Sequence, residues 1–347
     1  MSDYPKRKTK KKKKKKLTPL DIIVRIGIVF GTTLVMILIF ILAVCFVLIK
    51  GPSTSARNLF TLSANETSAM KWLPKLYMSD KEFDEILNPV KEDDVYTELP
   101  MAQITLSSDT NESIVVDESL PDIEIIDLKA STYQGKLMIV RDPSRVFFGS
   151  IDKFGNVGIT LSDFLKKYDA IACTNAGGFA DEGGKGKGGI PDGIVIRDGK
   201  IVYGSEDGTY GGLVGFDANH ILHVGRMTGR QALNEGIMNG TSFSNGPVLI
   251  KDGVRQSNFV SGINPRTCIG QTAEGAVLLC VVEGRMADSL GATYENLADI
   301  MEQYGAINAI NMDGGSSSGL YYEGERLTRS SSVIGDRPLP TAIIVSR

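Results

Sequence analysis

The sequence has only two histidines, His220 and His223, and one tryptophan among its 347 residues. A Ser-His-Asp hydrolase needs a histidine as its general base. Both histidines lie in an alternating, strand-like stretch, far along the chain from its glycine-rich motifs. We interpret them as strand or surface residues, and a triad built on either of them is disfavoured.

Cysteine is equally scarce. Cys45 lies in a long apolar run, and the spacing of Cys173, Cys268 and Cys280 contains no CxxC or CxxH pattern, so a zinc site is unsupported. If the chain turns at residues 273–275, Cys268 faces Cys280 across a hairpin. A disulfide is one interpretation of that pairing, and two buried thiols is the favoured one.

A nucleotide-binding P-loop is also missing. Residues 183–189 read Gly-Gly-Lys-Gly-Lys-Gly-Gly, but no G-x-x-x-x-G-K-[ST] pattern fits them. Glycine runs are flexible by default, so this stretch is interpreted as a mobile flap.

Charge is unevenly distributed. The first 50 residues hold 12 of the 38 Lys and Arg and two of the 41 Asp and Glu, so the remainder holds 26 basic and 39 acidic residues, a net charge of −13. Ten of the basic residues lie between Lys6 and Lys16. This run is read as a topology signal that also attracts anionic lipid headgroups. Nucleic-acid binding is not expected.

An apolar stretch follows directly. Ile26–Ile49 is 24 residues without a charge, long enough for a helix to cross a hydrocarbon core of ~30 Å. The core of a cleavable signal peptide is shorter, ~7–15 residues, so an uncleaved anchor is favoured over a signal peptide. The prediction is a cytoplasmic tail (1–25), a transmembrane helix (26–49), and an extracellular remainder.

Residues 50–122 are predicted to be a stalk, because polar and acidic residues dominate them and no catalytic grouping is found there. From residue 123 to 347 short apolar runs alternate with glycine. Four turn signals recur in this part, and such dipeptides between apolar runs indicate hairpins: Asp198-Gly199, Asp252-Gly253, Glu274-Gly275 and Glu323-Gly324.

Two helices are predicted, one capped by Thr160 and one by Thr293 and closed by Gly305. Each runs into an apolar strand that ends in a polar loop of small residues, at 175–179 and 313–316. Ligand sites favour such strand ends, so the two loops are expected to face one cleft. The predicted fold class is α+β, with a mixed, largely antiparallel sheet and a few helices behind the anchor and stalk.

Candidate chemistry gathers near these loops. Asp313 follows a strand and precedes two glycines, which let a ligand approach the backbone. Arg266 opens another strand with a guanidinium, the group best shaped for a phosphate. Glu283 and Arg285 would close the paired strand. Each fragment alone is weak, because an Asp-Gly-Gly loop is usually only a turn.

Taken together and in order, these motifs resemble the phosphodiester glycosidase family, over about residues 125–347. The resemblance rests on Asn175–Phe179 with Asp181, Gly246–Leu249 with Asp252-Gly253, Pro265–Thr267 with Gly270, Glu283–Arg285, Gly291–Thr293, Asn311–Ser316 and Arg337–Ala342. Two departures are Glu283, where the family has Asp, and Ser316, where a third glycine is usual. They put the substrate preference in question.

The resemblance implies hydrolysis of a sugar-1-phosphodiester at the anomeric carbon. Asp313 is then the first choice for the catalytic carboxylate and Glu283 the second, while Arg266 holds the departing phosphate with support from Arg285. The other residues expected to bind substrate are Asn175, Gly177, Gly178, Asn245, Gly246, Thr267, Asn311, Gly314, Gly315 and Ser316.

No cofactor is expected to be required. A divalent cation at Asp192 or Asp313 is conceivable, but no ligand set is visible in the sequence. The expected partner is a glycosyl phosphodiester or phosphorylated polysaccharide of the cell wall or exopolysaccharide. The alternative is an anchored module that binds such a polymer without cutting it.

Overall fold

The computed structural model describes residues 18–67, 70–89, 121–181, 186–244, 246–332 and 335–347. The lysine run, most of the predicted stalk beyond residue 89, part of the glycine-rich flap and Asn245 lie outside these residues. The α-helices of the described part are α1 (Pro19–Lys50), α2 (Thr54–Asn65), α3 (Asp80–Leu87), α4 (Leu161–Tyr168), α5 (Gly229–Asn234) and α6 (Tyr294–Gln303).

Helix α1 is the apolar stretch anticipated from the sequence. Its most apolar 18-residue window has a mean hydropathy of 3.1, and within the described residues it alone is long and apolar enough to cross a membrane. A signal sequence near the N-terminus can also form an apolar helix, so length and composition alone do not distinguish the two. Every residue from Thr18 to Ile41 is exposed, whereas Cys45 and Ile49 are buried. Among the described residues, only the last part of the helix therefore packs against other elements.

The strands form three sheets, and every strand pairing given for the described residues is antiparallel. In chain order the strands are β1 (Ile123–Lys129), β2 (Gln134–Val140), β3 (Val146–Ser150), β4 (Ala170–Asn175), β5 (Val195–Arg197), β6 (Lys200–Tyr203), β7 (Thr209–Phe216), β8 (Leu222–Thr228), β9 (Asn239–Ser242), β10 (Val248–Lys251), β11 (Val254–Arg255), β12 (Arg266–Thr272), β13 (Val277–Val282), β14 (Ala306–Asn311), β15 (Leu320–Tyr322), β16 (Glu325–Arg326) and β17 (Thr341–Ser346).

The largest sheet has seven strands in the order β1-β2-β13-β12-β14-β10-β11. The two five-stranded sheets have the orders β16-β15-β4-β17-β3 and β6-β5-β9-β7-β8. All three sheets contribute to one central core that includes Phe148, Phe216, Ile310 and Ile343. Helix α6 covers the other face of the seven-stranded sheet, and α4 packs on the second sheet. The α+β class is confirmed, with three sheets where the sequence predicted one.

The four predicted turns are confirmed as hairpin turns. They join β5 to β6, β10 to β11, β12 to β13 and β15 to β16. Asp198 and Gly199 have φ angles of 50° and 67°, the left-handed values that a tight two-residue turn needs. Thr160 and Thr293 cap α4 and α6 as expected, each accepting a hydrogen bond from a backbone N–H in the first turn.

The cysteine pairing follows the predicted register. Cys268 lies directly opposite Cys280 across β12 and β13, and both thiols are free and buried. Burial raises the pKa of Cys268 well above its usual value, and contact with Cys280 raises it further. The favoured interpretation, two buried thiols, is the one the structure has.

The described residues that follow α1, 51–67 and 70–89, fold back as a small helical cap. Ile49 at the end of α1 packs against Met78 and, in α3, Phe83 and Ile86. Leu62 of α2 is part of the same cluster. Helix α2 then reaches the segment that leads into β12, where the hydroxyl of Ser63 accepts a hydrogen bond from the backbone N–H of Ile263 at 2.8 Å. The first part of the predicted stalk is thus packed against the β-sheet body.

Candidate active site

An open cleft of about 780 Å³ lies between this helical cap and the sheets. It is placed where β4 and β14 end and where β12, antiparallel to β14, begins. The two polar loops expected to face one cleft do so: Gly178 and Phe179 of one loop and Asp313–Ser316 of the other line it. Carboxylates, guanidiniums and amides thereby converge on one space.

The backbone of Asp313 is fixed from two sides. Its N–H donates to the carbonyl of Ala176 at 3.0 Å. Its carbonyl accepts from the side-chain amide of Asn175 at 2.6 Å. The preceding residue, Met312, donates its N–H to the carbonyl of Thr267 at 2.8 Å. The loop therefore cannot move without breaking hydrogen bonds to two other elements.

The side chain of Asp313 is partly buried. Burial raises its pKa to about 6, although hydrogen bonds from Ser317 and from the N–H of Gly314 oppose that rise, as does the charge of Arg337. The Gly314 hydrogen bond is 2.8 Å long. A carboxyl group with this pKa changes its charge near neutral pH, which suits a group that gains and loses protons.

The glycines after Asp313 allow the turn to lie close against its neighbours. A Cβ on Gly314 would lie 2.7 Å from the carbonyl oxygen of Pro265. Gly315 has φ of 63°, and its missing Cβ would lie 3.2 Å from a terminal nitrogen of Arg285. The turn thus brings the guanidinium of Arg285 to the loop that carries Asp313.

Arg266 lies in the cleft, but it already has partners. Its Nε donates to the carbonyl of Ala292 at 3.1 Å, and one terminal nitrogen donates to the carbonyl of Gly262 at 2.7 Å. Its guanidinium stacks on the ring of Tyr294, 4.2 Å from the ring centre. The same terminal nitrogen forms an ion pair with Glu66 at 2.5 Å.

Glu66 is the residue at the end of α2, and its carboxylate is held by three residues of the short segment 262–266. Oε1 accepts from the N–H of Gly262 at 2.8 Å, and Oε2 accepts from the side-chain amide of Asn264 at 2.7 Å and from Arg266. This role of Glu66 could not be predicted, because Glu66 lies 200 residues before Arg266.

Arg285 differs from Arg266 in its partners. One terminal nitrogen donates to the hydroxyl of Thr67 at 3.1 Å and to the amide oxygen of Asn264 at 3.2 Å. Within the described residues no carboxylate forms an ion pair with it. Burial, and then the neighbouring charge of Arg266, lower the pKa of this guanidinium. Arg285 is thus a cation in the cleft whose hydrogen-bond partners are neutral oxygens.

The third guanidinium that lines the cleft, that of Arg337, is neutralised by a carboxylate. It binds both oxygens of Asp181, at 2.7 and 2.9 Å, and stacks 4.8 Å from the ring centre of Phe179. The pair lowers the pKa of Asp181. Asp181 also accepts a hydrogen bond from the backbone N–H of Gly186, in the glycine-rich stretch, at 2.7 Å.

Three residues predicted to bind substrate lie beneath the cleft. Asn175, Thr267 and Asn311 are buried. The hydroxyl of Thr267 donates to the amide oxygen of Asn175 at 2.8 Å, and the amide of Asn311 donates to the carbonyl of Met312 at 2.7 Å. In this structure these side chains support the Asp313 loop.

The remaining predictions divide as follows. Gly178, Arg266, Arg285, Asp313, Gly314, Gly315 and Ser316 line the cleft, whereas Gly177, Gly246 and Glu283 do not. Glu283 is buried and accepts hydrogen bonds from the backbone N–H and the Nε of Arg329, at 2.8 and 2.6 Å. The structure therefore does not place Glu283, the second-choice carboxylate, in the cleft with Asp313.

Asp192 lies in the cleft with Asp313. Among the described residues there is no group of three or more His, Cys, Asp and Glu side chains that could hold a metal ion. The side chains therefore give no support for a cation at either aspartate.

The Glu66–Arg266 pair yields a first prediction. Changing Glu66 to Ala should lower the free energy of unfolding by roughly 2–4 kcal/mol, because it leaves a buried guanidinium without its counter-ion. Thermal or denaturant melting of the full chain measures this. Changing Asp207 to Ala, which removes an exposed partner of Arg230, is the control and should hardly alter the melting temperature. Equal melting of the two variants would show that α2 is not held by this pair.

Comparison with known proteins agrees with this geometry. The model of a family described as phosphodiester glycosidase matches residues 168–346, more than half of the chain. The chain belongs to the phosphodiester glycosidase family. The match includes Asp313, Arg266, Arg285 and the Asp181–Arg337 pair, and it leaves out α1, α2 and therefore Glu66.

Among curated proteins, the chain is 26% identical over 292 residues to the uncharacterized SPbeta prophage-derived protein YomE of Bacillus subtilis. That alignment covers 80% of this chain and 43% of the relative, so the chain spans less than half of the relative's length.

Among solved structures, the chain is similar to the catalytic domain of zebrafish N-acetylglucosamine-1-phosphodiester alpha-N-acetylglucosaminidase, auto-inhibited by its pro-peptide. The TM-score is 0.54 and the identity 21%, with 66% of this chain and 85% of the other covered. This likeness supports a phosphodiester glycosidase fold.

Proposed function

We propose that this chain hydrolyses a glycosyl 1-phosphodiester, giving a free sugar and a phosphomonoester. The observation that carries the proposal is that Asp313, with its raised pKa, and Arg285, with only neutral partners, meet across the Gly314-Gly315 turn in one cleft. Membership of the phosphodiester glycosidase family supports it.

The chemistry needs a cation at the phosphate and a carboxylate at the anomeric carbon. The bond between C1 and the phosphate oxygen breaks, and the phosphate keeps that oxygen and the bonding electrons. A phosphomonoester is a good leaving group, so little help from a general acid is required. The hydroxyl of water ends on C1. Asp313 either takes the proton of that water or first attacks C1 itself.

Arg285 is the cation best placed for the phosphate. Arg266, the sequence-based choice, is occupied by Glu66 and by two carbonyls. We assign Arg266 to holding the wall of the cleft together. The second-choice carboxylate, Glu283, is neutralised by Arg329, so Asp313 carries the reaction in this proposal.

The decisive experiment follows heavy oxygen from labelled water. The full chain is incubated with the methyl phosphodiester of α-N-acetylglucosamine 1-phosphate. Label in the hydroxyl at C1 of the released sugar is expected. Label in the phosphate would mean that the P–O bond is broken and that the chain is a different kind of phosphodiesterase. Tight binding without turnover would favour the alternative, a binding module.

We also propose that α1 anchors the chain in a membrane, with the N-terminus in the cytoplasm and the sheets outside. The length and composition of α1 and its exposed surface support this. Protease added to intact cells should then digest the sheet domain. Protection until the cells are lysed would contradict the orientation. A substrate in the cell wall or exopolysaccharide stays a prediction from the sequence.

A further inference from the structure

The first observation concerns where the folded body begins along α1. Ile26–Ile41, the uncharged part of α1 that is exposed throughout, has 16 helical residues that rise about 24 Å, somewhat less than the ~30 Å of a hydrocarbon core. From Leu42 onward α1 touches the rest of the chain: the hydroxyl of Tyr77 donates to the carbonyl of Leu42 at 3.0 Å. In an α1 that enters the membrane at Ile26, the body would therefore start close to the level where the lipid tails end.

The second observation is an apolar surface at that same level. In the segment Met70–Leu76, Met70, Trp72 and Leu76 are 42%, 58% and 55% exposed. The segment runs directly into Tyr77, whose ring lies 6.0 Å from that of Phe46 in α1. Tryptophan beside lysine and leucine is typical of chain that lies in the headgroup region of a bilayer.

The third observation connects this segment to the cleft. Lys71 lines the cleft, and so do Leu62 and Leu87 of the cluster that holds Ile49. Thr67, which accepts a hydrogen bond from Arg285, lies three residues before Met70. One wall of the cleft is therefore built from chain at the level of the bilayer surface.

From these observations we infer that Met70–Leu76 lies in the headgroup region of the membrane and that the cleft takes a glycosyl phosphodiester whose alcohol is a membrane lipid. The bilayer is the favoured occupant of this surface because the surface continues the exposed side of α1. The inference rests on the proposed function: the same C1–O bond breaks, the lipid phosphomonoester stays in the bilayer, and the sugar leaves into water.

The position of the segment can be measured with a built-in probe, because Trp72 is the only tryptophan of the chain. The full chain is placed in lipid nanodiscs, and its tryptophan fluorescence is recorded with lipids brominated near the headgroup and with aqueous iodide. Quenching by the brominated lipid and protection from iodide are expected. Full quenching by iodide with no effect of the brominated lipid would overturn the inference.

The substrate class is tested with two esters of α-N-acetylglucosamine 1-phosphate, one with a long-chain isoprenoid alcohol embedded in the nanodisc and one with methanol in solution. The double variant Trp72→Ser/Leu76→Ser should lower kcat/KM roughly tenfold on the embedded ester, since apolar contact with the bilayer is lost. The methyl ester should be cleaved as before. Val254→Ser, which removes an exposed valine of the β10–β11 hairpin, is the matched control and should change neither.

The outcomes separate the inference from the proposed function. Two results would show that the lipid substrate is wrong while the proposed hydrolase activity is right. In the first, the unaltered chain cleaves the methyl ester but not the embedded ester. In the second, the double variant cleaves both esters as fast as the unaltered chain. If neither ester is cleaved, the proposed function is wrong and the lipid substrate falls with it.

Discussion

Asp313→Asn should lower kcat by about 10³-fold or more while making the folded chain more stable at neutral pH. Asparagine nearly matches the shape of aspartate, but it can act neither as a base nor as a nucleophile. Its amide carries no charge, so it avoids the cost of keeping a carboxylate out of water. Turnover and melting measured on one preparation test both parts.

The stability effect has a definite dependence on pH. The pKa of Asp313 is raised from 3.8 to about 6 in the folded chain. Below pH 3.8 both states hold the proton, and the contribution to folding is fully present. This stabilising contribution is lost as pH rises through the interval between the unfolded and folded pKa values, because the unfolded chain then releases its proton more readily than the folded chain. The Asn variant should therefore gain roughly 2 kcal/mol over the unaltered chain above that interval and little below it.

The pH profile of turnover distinguishes the role of the carboxylate. A base or nucleophile must be ionised, so kcat/KM should rise as pH increases through about 6 and then level off. A profile that falls above that pH would make Asp313 a general acid. An active Asn variant would remove Asp313 from the chemistry and pass the role to Asp192, the other aspartate lining the cleft that has no ion pair among the described side chains.

Arg285→Gln should lower kcat/KM by about 10²–10³-fold, the usual loss when one charged donor to the transition state is removed. Glutamine keeps a polar side chain, but it has neither the positive charge nor the paired N–H donors of the guanidinium. The melting temperature should hold or rise, because in the described structure Arg285 leaves no carboxylate behind when it is replaced.

Two controls sharpen this result. Arg266→Gln should lower the melting temperature, since Glu66 then loses its guanidinium partner. Arg230→Gln, at an exposed ion pair far from the cleft, should change neither stability nor turnover. If Arg266→Gln lost turnover without losing stability, the phosphate would belong to Arg266 and not to Arg285.

The local elements of this fold could be predicted from the sequence because their causes are local. Asp198-Gly199 and Asp252-Gly253 both adopt left-handed φ angles, which few residue pairs tolerate, and so they mark turns. Thr160 and Thr293 cap helices through their own hydroxyls. The strand-end loops could be placed in one cleft by a different argument, because ligand sites favour the ends of strands.

The partners of the charged side chains could not be predicted. The Glu66–Arg266 and Asp181–Arg337 pairs join residues 200 and 156 positions apart, and such pairs leave no periodic pattern. Asn175 illustrates a related limit. A polar residue at the end of a strand can face a ligand or turn inward to hold a loop, and the choice depends on tertiary neighbours such as Thr267.

The involvement of α2 in the cleft has a consequence for how this protein can be divided. A soluble fragment that begins at residue 123 would lack Glu66 and Thr67, and Arg266 and Arg285 would each lose a partner. A fragment that begins after α1, near Pro52, would retain both. Exchange of the segment before the sheets for that of a relative would likewise change the cleft, so this segment and the sheets are not independent modules.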